Sequence, residues 1–282
     1  MDYAVDISNV TKNYSDFTLN NLSLKVPQGC ILGLVGENGA GKSTTIKLIL
    51  NTIKQNSGTI KVFGKDSTNL SNSEKEKIGF VMDTCCFPEV LNAIDIGKFS
   101  SRIYSQWDNA KYTEYLKRFD ISPKKMIVDY SKGMKTKLNI ACALSHKPTL
   151  LILDEATTGL DPIIRDEILD IFLEFMQDET HSILMSSHIT SDLEKVCDYI
   201  ALIHKGNLIF SVEKDKLLET YGIAKCSEQE LYQIPKQAIV RYRKNKFGVE
   251  VLVNKKHVAK NLLIDPASIE DVMLFNIRGL SL

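Results

Sequence analysis

A glycine-rich octet at residues 36–43 has the residue types and the spacing to bind phosphate. Its letters, G-E-N-G-A-G-K-S, fit a phosphate-binding loop, in which backbone N–H groups surround the phosphate oxygens. In such a loop Lys42 would reach the β- and γ-phosphates and the Ser43 hydroxyl would ligate Mg²⁺. The apolar run at 31–35 predicts a buried strand before the loop, and residues 44–50 predict a helix after it. Strand, loop and helix in that order are the context that the motif needs.

Two acidic residues follow an apolar run later in the chain. Residues 150–153 are Leu-Leu-Ile-Leu and predict a central parallel strand, after which come Asp154 and Glu155. Burying neighbouring carboxylates is costly without a cation, so the pair favours a metal-dependent site over a structural role. We expect Asp154 to support Mg²⁺ and Glu155 to polarise a water that attacks the γ-phosphate.

The composition argues against several classes of function. The 282-residue chain carries 35 basic and 35 acidic residues, which disfavours a nucleic-acid binder driven by overall charge. No apolar run is long enough to cross a membrane, and the first residues lack the apolar segment of a secretory signal. The six cysteines form no Cys-x-x-Cys pair. We therefore expect reduced core cysteines in a cytoplasmic protein, with redox chemistry at the vicinal Cys85 and Cys86 as the alternative.

The order of the remaining patterns predicts an α/β fold. Alternating hydrophobicity within residues 1–30 predicts an antiparallel subdomain, and apolar runs at 59–63, 78–82 and 182–186 predict further strands. Helical spacing dominates a predicted insert at about 84–146, where Val90, Ile94 and Ile103 suggest one helix and a later helix starts near Ser131. Ser191 and Glu194 have the spacing of a capping box, which predicts a helix beginning there.

A small α+β unit is predicted from residue 214 onward. Alternation at 239–242 and 249–253 predicts a hairpin, and Ser268 with Asp271 predicts the start of a last helix. The basic segment at 241–246 favours a solvated hairpin over a contact with lipid headgroups or a regulatory contact. These patterns divide the chain into a nucleotide-binding domain at 1–213 and a C-terminal accessory or regulatory domain at 214–282.

Over residues 3–212 the chain resembles the nucleotide-binding subunit of an ATP-binding cassette (ABC) transporter. Residues 36–44 match the Walker A loop, 150–155 the Walker B strand and 159–161 the D-loop. The resemblance implies a P-loop NTPase core with a mainly parallel sheet, an antiparallel β subdomain and a helical insert. It also implies ATP and Mg²⁺ as cofactors.

The same resemblance assigns roles to single residues. Lys42, Glu155 and His188 are implied to be catalytic, with His188 matching the switch histidine that contacts the γ-phosphate. The ring of Tyr14 would stack on adenine, an interaction worth about 1–3 kcal/mol. The positions implied to contact the nucleotide are Tyr14, Gly36, Asn38, Gly39, Ala40, Gly41, Lys42, Ser43, Thr44, Ser131, Gly133 and Asp161.

The segment at 130–135, Tyr-Ser-Lys-Gly-Met-Lys, matches the family signature, which is normally Leu-Ser-Gly-Gly-Gln. Ser131 and Gly133 are kept, whereas Lys132 replaces a glycine and Met134 replaces the glutamine. In the family this motif binds ATP held by the opposite subunit, so that two chains sandwich two ATP molecules. The start of a helix at the motif would direct N–H groups at that phosphate.

Asp83 follows the predicted strand at 78–82 and stands where the family usually has the Q-loop glutamine. The glutamine normally touches Mg²⁺ and links the ATP site to the membrane partner. A carboxylate there could bind the metal directly or through water, but it would also repel the γ-phosphate. We hypothesise that the role is kept with altered coupling, and we count Ser43, Asp83 and Asp154 as metal-ligating candidates.

The resemblance implies an ATPase subunit on the cytoplasmic face of a membrane. Its expected partners are an integral membrane transporter subunit and a second ATP-binding subunit, identical or different, with no nucleic acid. Similarity of the tail to exporter subunits favours export. The alternatives are a soluble ABC ATPase acting on nucleic acid or ribosomes and a non-hydrolysing ATP sensor, which the presence of Glu155 and His188 disfavours. A GTPase is disfavoured because no Asn-Lys-x-Asp motif occurs.

Overall fold

The structure, a computed structural model, describes residues 2–84, 86–258 and 262–281. The strands in chain order are β1 (Tyr3–Asn13), β2 (Thr18–Pro27), β3 (Ile31–Val35), β4 (Ser57–Val62), β5 (Lys65–Asp66), β6 (Ile78–Met82), β7 (Leu150–Asp154), β8 (Ser182–Ser187), β9 (Tyr199–His204), β10 (Asn207–Glu213), β11 (Tyr221–Cys226), β12 (Ile239–Asn245), β13 (Gly248–Asn254) and β14 (Ile264–Pro266). The helices are α1 (Lys42–Ile49), α2 (Asn72–Lys75), α3 (Ala93–Ile103), α4 (Asn109–Arg118), α5 (Lys132–Ser145), α6 (Pro162–Phe175), α7 (Thr190–Val196), α8 (Lys214–Thr220), α9 (Glu228–Leu231) and α10 (Ile269–Arg278). Within the described ranges, no helix combines the length and the hydropathy that a membrane crossing requires.

The N-terminal strands form an antiparallel sheet in the order β2-β1-β4-β5. Leu22, Leu24 and Val26 of β2 are buried, while the residues between them are exposed. Alternation of this kind is expected when one face of a sheet packs on the core. The prediction of an antiparallel subdomain is therefore confirmed.

A six-stranded sheet in the order β10-β9-β3-β8-β7-β6 forms the centre of the protein. Only β10 pairs antiparallel, with β9, and the other neighbours run parallel. All residues of β3, β7 and β8 are buried, as continuous apolar runs in a central parallel sheet predict. The α/β fold class is confirmed.

The register of this sheet decides which residues meet at its edge. Asp154 at the end of β7 lies opposite Met82 of β6 on one side and Ser186 of β8 on the other. Val35 at the end of β3 pairs with Ser187. Because parallel strands end at the same edge, the segments that follow β3, β6, β7 and β8 converge there.

The helical insert contains α3, α4 and α5, whose buried side chains join the main core. The expectation that Val90 belongs to the first of these helices is wrong, because α3 begins at Ala93 and Val90 is 74% exposed. Asn92 sets the start of the helix, since its side chain accepts the backbone N–H of Asp95 at 3.1 Å. The side chain of Ser131 caps α5 in the same way.

The predicted capping box at Ser191 and Glu194 is also wrong. Helix α7 begins at Thr190, after Ile189, and its first turn has no side-chain cap. The Ser187 hydroxyl instead accepts the N–H of Ile189 at 2.9 Å and fixes the turn after β8. Glu194 accepts the N–H of Ile269 at 2.6 Å, so its carboxylate joins α7 to α10.

Residues from Lys214 onward contribute a sheet of order β12-β13-β11-β14, antiparallel throughout, and the helix α10. The capping box of Ser268 and Asp271 at the start of α10 is confirmed. The division into 1–213 and 214–282 remains an interpretation, because α10 packs its buried face against the main core.

The cysteines occupy different environments. Cys142 and Cys197 are buried, and burial raises the pKa of the Cys197 thiol, which keeps it protonated. Cys86 is exposed. Cys85 lies outside the described residues, so the hypothesis of a redox-active vicinal pair stays untested.

Candidate nucleotide-binding site

The loop between β3 and α1 is shaped by its glycines. A Cβ atom on Gly36 would stand 2.3 Å from the carbonyl oxygen of Ile203, so only glycine fits at this position. Gly41 caps α1 with a φ of 117°, a backbone conformation that side chains disfavour. The eight-residue α1 starts at Lys42 and presents its N-terminal N–H groups, as phosphate-binding loops do.

Lys42 is buried at the base of the loop, with 5% of its side chain exposed. Its Nζ donates to the carbonyl oxygen of Gly36 at 2.8 Å and lies 3.2 Å from Oε1 of Glu155. A buried ammonium group needs partners of this kind, because burial without them is costly. The ammonium is thereby held between the loop and the end of β7.

Asp154 is the centre of a short polar chain. Its Oδ1 accepts the Ser43 hydroxyl at 3.1 Å and the Ser186 hydroxyl at 2.7 Å. Among the described residues, no cluster of three or more histidine, cysteine, aspartate or glutamate side chains is present to hold a metal. Mg²⁺ usually binds through one or two carboxylates together with substrate phosphates and water, so Ser43 and Asp154 fit a nucleotide-bound ion.

Glu155 is held in a left-handed backbone conformation with a φ of 52°, which is uncommon outside glycine. Its N–H donates to the carbonyl oxygen and to the hydroxyl of Ser186, at 3.2 and 3.1 Å. Its Oε2 accepts from Thr158 and contacts Nδ1 of His188, both at 2.6 Å. These bonds direct the carboxylate into the space above Lys42.

The charge state of Glu155 follows from competing effects. Burial raises the pKa of its carboxyl, whereas the hydrogen bond from Thr158, the charge of Lys42 and the hydrogen bond from His188 lower it. The lowering effects prevail, so the pKa lies below its usual value and the group is a carboxylate at neutral pH. A carboxylate only accepts, so the Nδ1 atom of His188 carries the proton that joins them.

A cleft of about 810 Å³ opens above these groups. Its size is in the range of a nucleotide-sized ligand. Tyr14 stands at its mouth with 45% exposure, and Lys12 places its ammonium 5.3 Å from the centre of the tyrosine ring. Of the predicted site residues, the cleft is lined by Tyr14, Asn38, Gly39, Gly41, Lys42, Ser43, Thr44, Asp83, Glu155 and His188.

The remaining predicted site residues lie behind the cleft or beside it. Ala40 and Asp154 are buried, and Gly36 lies against the carbonyl of Ile203. Asp161 caps α6, accepting the N–H groups of Ile163 and Ile164 at 3.1 Å. Among the described residues that line the cleft, Ser131, Gly133 and Asp161 do not occur.

The sequence did not predict several residues of the site, including Ser15 and Asp16, which line the cleft. Ser186 binds both Asp154 and the backbone of Glu155, Thr158 binds the Glu155 carboxylate, and Phe17 lines the cleft near Tyr14. Ser186 lies two residues before His188, and Thr158 lies three residues after Glu155. Closeness to a motif residue is therefore the feature of the sequence that could have indicated them. Their partners depend on strand register and on loop conformation.

Comparisons with known proteins show the family to which the chain belongs. The family model described as ABC transporter matches residues 19–158. Bacitracin transport ATP-binding protein BcrA of Enterococcus faecalis is 33% identical over 220 residues, which are 77% of this chain and 71% of the relative. Lantibiotic transport ATP-binding protein SrtF of Streptococcus pyogenes is 34% identical over 212 residues, 74% of this chain and 90% of the relative.

A solved structure supports the same family. An ATP-binding subunit of an ABC transporter has a TM-score of 0.69 and 26% identity, and the match covers 76% of this chain and 91% of that chain. The chain belongs to the ABC transporter family and is one of the family's ATP-binding subunits, an ATPase.

Proposed function

We propose that this chain and a second ATP-binding subunit close around ATP, and that closure drives a separate membrane-spanning subunit. The observation that carries the proposal is the position of the signature. Ser131 and Gly133 begin α5 outside the cleft that Lys42 and Glu155 line. A phosphate bound in this cleft would therefore meet the serine and glycine of a signature only if another subunit supplied them.

Ser131 is suited to bind a phosphate that arrives from outside its own chain. Its hydroxyl oxygen accepts the Met134 N–H at 3.2 Å, which uses a lone pair and leaves the hydroxyl proton to donate. The residue is exposed, and the N-terminus of the 14-residue α5 adds partial positive charge beside it. Gly133 packs against Ile164 and leaves the turn free of a side chain.

Within the cleft, Lys42 would bind the β- and γ-phosphates, with Ser43 and Asp154 holding Mg²⁺. Asp83 offers a further carboxylate at the rim. The ion would offset the negative charge of the phosphate oxygens. Tyr14, exposed at the mouth, is the surface on which the adenine would stack.

Glu155 and His188 would support the attack of water on the γ-phosphate. Oε2 of Glu155 is occupied by Thr158 and His188, whereas Oε1 contacts only the Lys42 ammonium among its polar neighbours described above. A triphosphate competes for Lys42 because it is the stronger anion. Its arrival would release Oε1 to orient a water in line with the γ-phosphate.

The membrane-spanning partner is proposed to dock on the helical insert. Val90, Phe99 and Ile103 expose 74%, 59% and 52% of their surfaces, although each is large and apolar. Phe99 and Ile103 also line a groove beside β6, the strand that leads to Asp83. Exposed apolar side chains that line one groove, as Phe99 and Ile103 do, are typical of protein interfaces. The chain would then lie on the cytoplasmic face of the membrane.

The relatives named for bacitracin and for lantibiotic transport support a peptide antibiotic as the cargo. Together with the resemblance of the tail to exporter subunits, they favour export. Cargo would be selected by the membrane-spanning subunit, because the cleft of this chain is lined for a phosphate ligand.

The sandwich is tested with Glu155→Gln, which keeps the shape of the side chain and removes its charge. With saturating MgATP we expect twice the mass of one chain by light scattering. Ser131→Arg in that background is expected to bind ATP and stay monomeric. A monomer of Glu155→Gln under saturating ATP would contradict the proposal, unless a different ATP-binding subunit, added to it, restores the larger species.

The membrane partner is tested by affinity purification from detergent-treated membranes. The intact chain is expected to retain a multi-span membrane protein, and Phe99→Asp to lose it. Phe247→Asp is the matched control, because Phe247 is an aromatic residue with 98% exposure in the C-terminal part. Recovery of ribosomes or nucleic acid in place of a membrane protein would support the alternative class of ABC ATPase.

A further inference from the structure

Two residues that depart from the family pattern meet in the structure. Asp83, after β6, and Lys132, the first residue of α5, place Oδ1 and Nζ 2.6 Å apart. Lys132 also passes close to the D-loop, because a Cβ on Gly159 would stand 3.1 Å from its Nζ. The ammonium group thus lies between the Q-loop position, the signature and the D-loop of one chain.

The positive charge of Lys132 offsets an excess of acidic side chains in the cleft. Among the described residues that line it, four are acidic, Asp16, Glu37, Asp83 and Glu155, and only Lys42 is a lysine or arginine. These carboxylates oppose the binding of a triphosphate, which Lys42 and the backbone N–H groups of the loop favour, since like charges a few ångströms apart raise each other's energy. Lys42 is already 3.2 Å from Glu155, and Arg278, outside the lining, is 3.7 Å from Glu37. Asp83 at the rim therefore needs a cation from another element.

We propose that Lys132 is a positioning residue that neutralises Asp83, so that the two act as one unit in binding MgATP. The pair lets a carboxylate stand at the rim of the cleft without the repulsion that an unpaired carboxylate would add. This inference rests on ATP binding in the cleft of the same chain, as proposed above, and is independent of dimer formation.

The exposure of the Asp83–Lys132 pair determines which measurement shows its effect. The side chains of Lys132 and Asp83 are 44% and 43% exposed, and exposed ion pairs add little to folding stability. The effect is therefore expected in MgATP affinity and its salt dependence, with the melting temperature nearly unchanged. In steady-state hydrolysis it should raise KM more than it lowers kcat.

The test is a double-mutant cycle on the full chain, with a fluorescent ATP analogue and Mg²⁺ as the probe. Lys132→Gln is expected to weaken binding about five- to tenfold, the effect of one uncompensated charge at this range. Asp83→Asn together with Lys132→Gln is expected to bind within about twofold of the unmodified chain, because the repelling charge is gone. Near 1 M salt the loss from Lys132→Gln should largely disappear.

Lys225→Gln is the matched control, since it removes an exposed lysine that is paired at 2.8 Å with Asp265, and neither residue lines the cleft. It should leave MgATP affinity unchanged. The charge-reversed chain, Asp83→Lys with Lys132→Asp, provides a second reading if a single variant folds poorly. Equal losses from Lys132→Gln with and without Asp83→Asn, or no loss at all, would overturn the proposal.

These outcomes are distinct from failure of the proposed function. If Glu155→Gln never dimerises, the cycle still measures ATP binding to a single chain. If the unmodified chain binds no MgATP, ATP binding in the cleft itself is refuted, and with it this inference.

Discussion

The cleft and the signature differ in how much of their chemistry one chain completes. Lys42 in the cleft and Asp154 behind it are 5% and 8% exposed, and each has polar partners in the same chain. In the signature, Ser131 is exposed. Buried charges must be paired before the ligand arrives, whereas exposed donors bear no such cost. The cleft is therefore preorganised for the reaction, and the signature is available to a partner.

The largest effect is expected inside the cleft. Glu155→Gln should lower ATP hydrolysis by about 10²–10⁴-fold, because the amide cannot take a proton from the attacking water. Its hydrogen bond with Thr158 can persist, so ATP should still bind. Phosphate release at saturating ATP measures the rate, and equilibrium binding measures the affinity. A variant that hydrolyses ATP at the original rate would remove Glu155 from the reaction.

The signature should show a smaller effect on hydrolysis without a loss of binding. Ser131→Ala removes a hydroxyl proposed to reach the partner's ATP, and hydrolysis should fall about a hundredfold. The lost cap of α5 also costs about 0.5–2 kcal/mol of stability. Both are measured on one preparation, by phosphate release and by urea unfolding.

Ser268→Ala separates the loss of hydrolysis in Ser131→Ala from the loss of a helix cap. Ser268 caps α10 as Ser131 caps α5, with its hydroxyl accepting the N–H of Asp271 at 3.0 Å. Its loss should cost similar stability and leave hydrolysis unchanged. If both variants lose the same activity, capping explains the effect and Ser131 has no role at the partner's phosphate.

Ser186 should affect the cleft less than Glu155 does, since it acts through its neighbours. Ser186→Ala leaves the buried Asp154 with one donor fewer, which costs about 1–3 kcal/mol. Loss of such support typically weakens metal binding or activity about 10- to 100-fold. We expect the Mg²⁺ concentration for half-maximal hydrolysis to rise by about tenfold. Ser187→Ala, which loses only the bond to Ile189, should leave that concentration unchanged.

The local elements of the cleft and the signature could be predicted from the sequence, and the contacts between residues distant in the chain could not. The loop at 36–43 has a fixed spacing, and the apolar runs around it give the strand and the helix. The Ser186–Asp154 bond depends on the register of β7 and β8. The Asp83–Lys132 pair joins residues 49 positions apart. In the sequence, each of the two is visible only as a departure from a family motif. The wrong cap at Ser191 has the same cause, because Glu194 is bound to Ile269.

The smallest predicted effect is that of mild acid, which should lower stability through the signature helix and not through the cleft. His146 ends the signature helix α5, stacked on Tyr104 at 4.1 Å. Burial lowers its pKa more than the bond with the Glu76 carbonyl raises it, so the folded protein binds this proton less readily than the unfolded chain. The free energy of unfolding should therefore fall as pH drops from 6.5 through the lowered pKa, by at most about 1.4 kcal/mol per pH unit.

The pKa of Glu155 in the cleft is also lowered, but from 4.5, so its contribution is present above that pH and is lost only as pH falls further. Between the two values, acid should weaken the signature helix and leave this part of the cleft intact. Urea unfolding at a series of pH values gives the slope, which should be shallower in His146→Gln. His257→Gln, at an exposed position, is the control. Equal slopes in the intact chain and in His146→Gln would place the acid-sensitive group elsewhere, and the proposed order of acid sensitivity would be wrong.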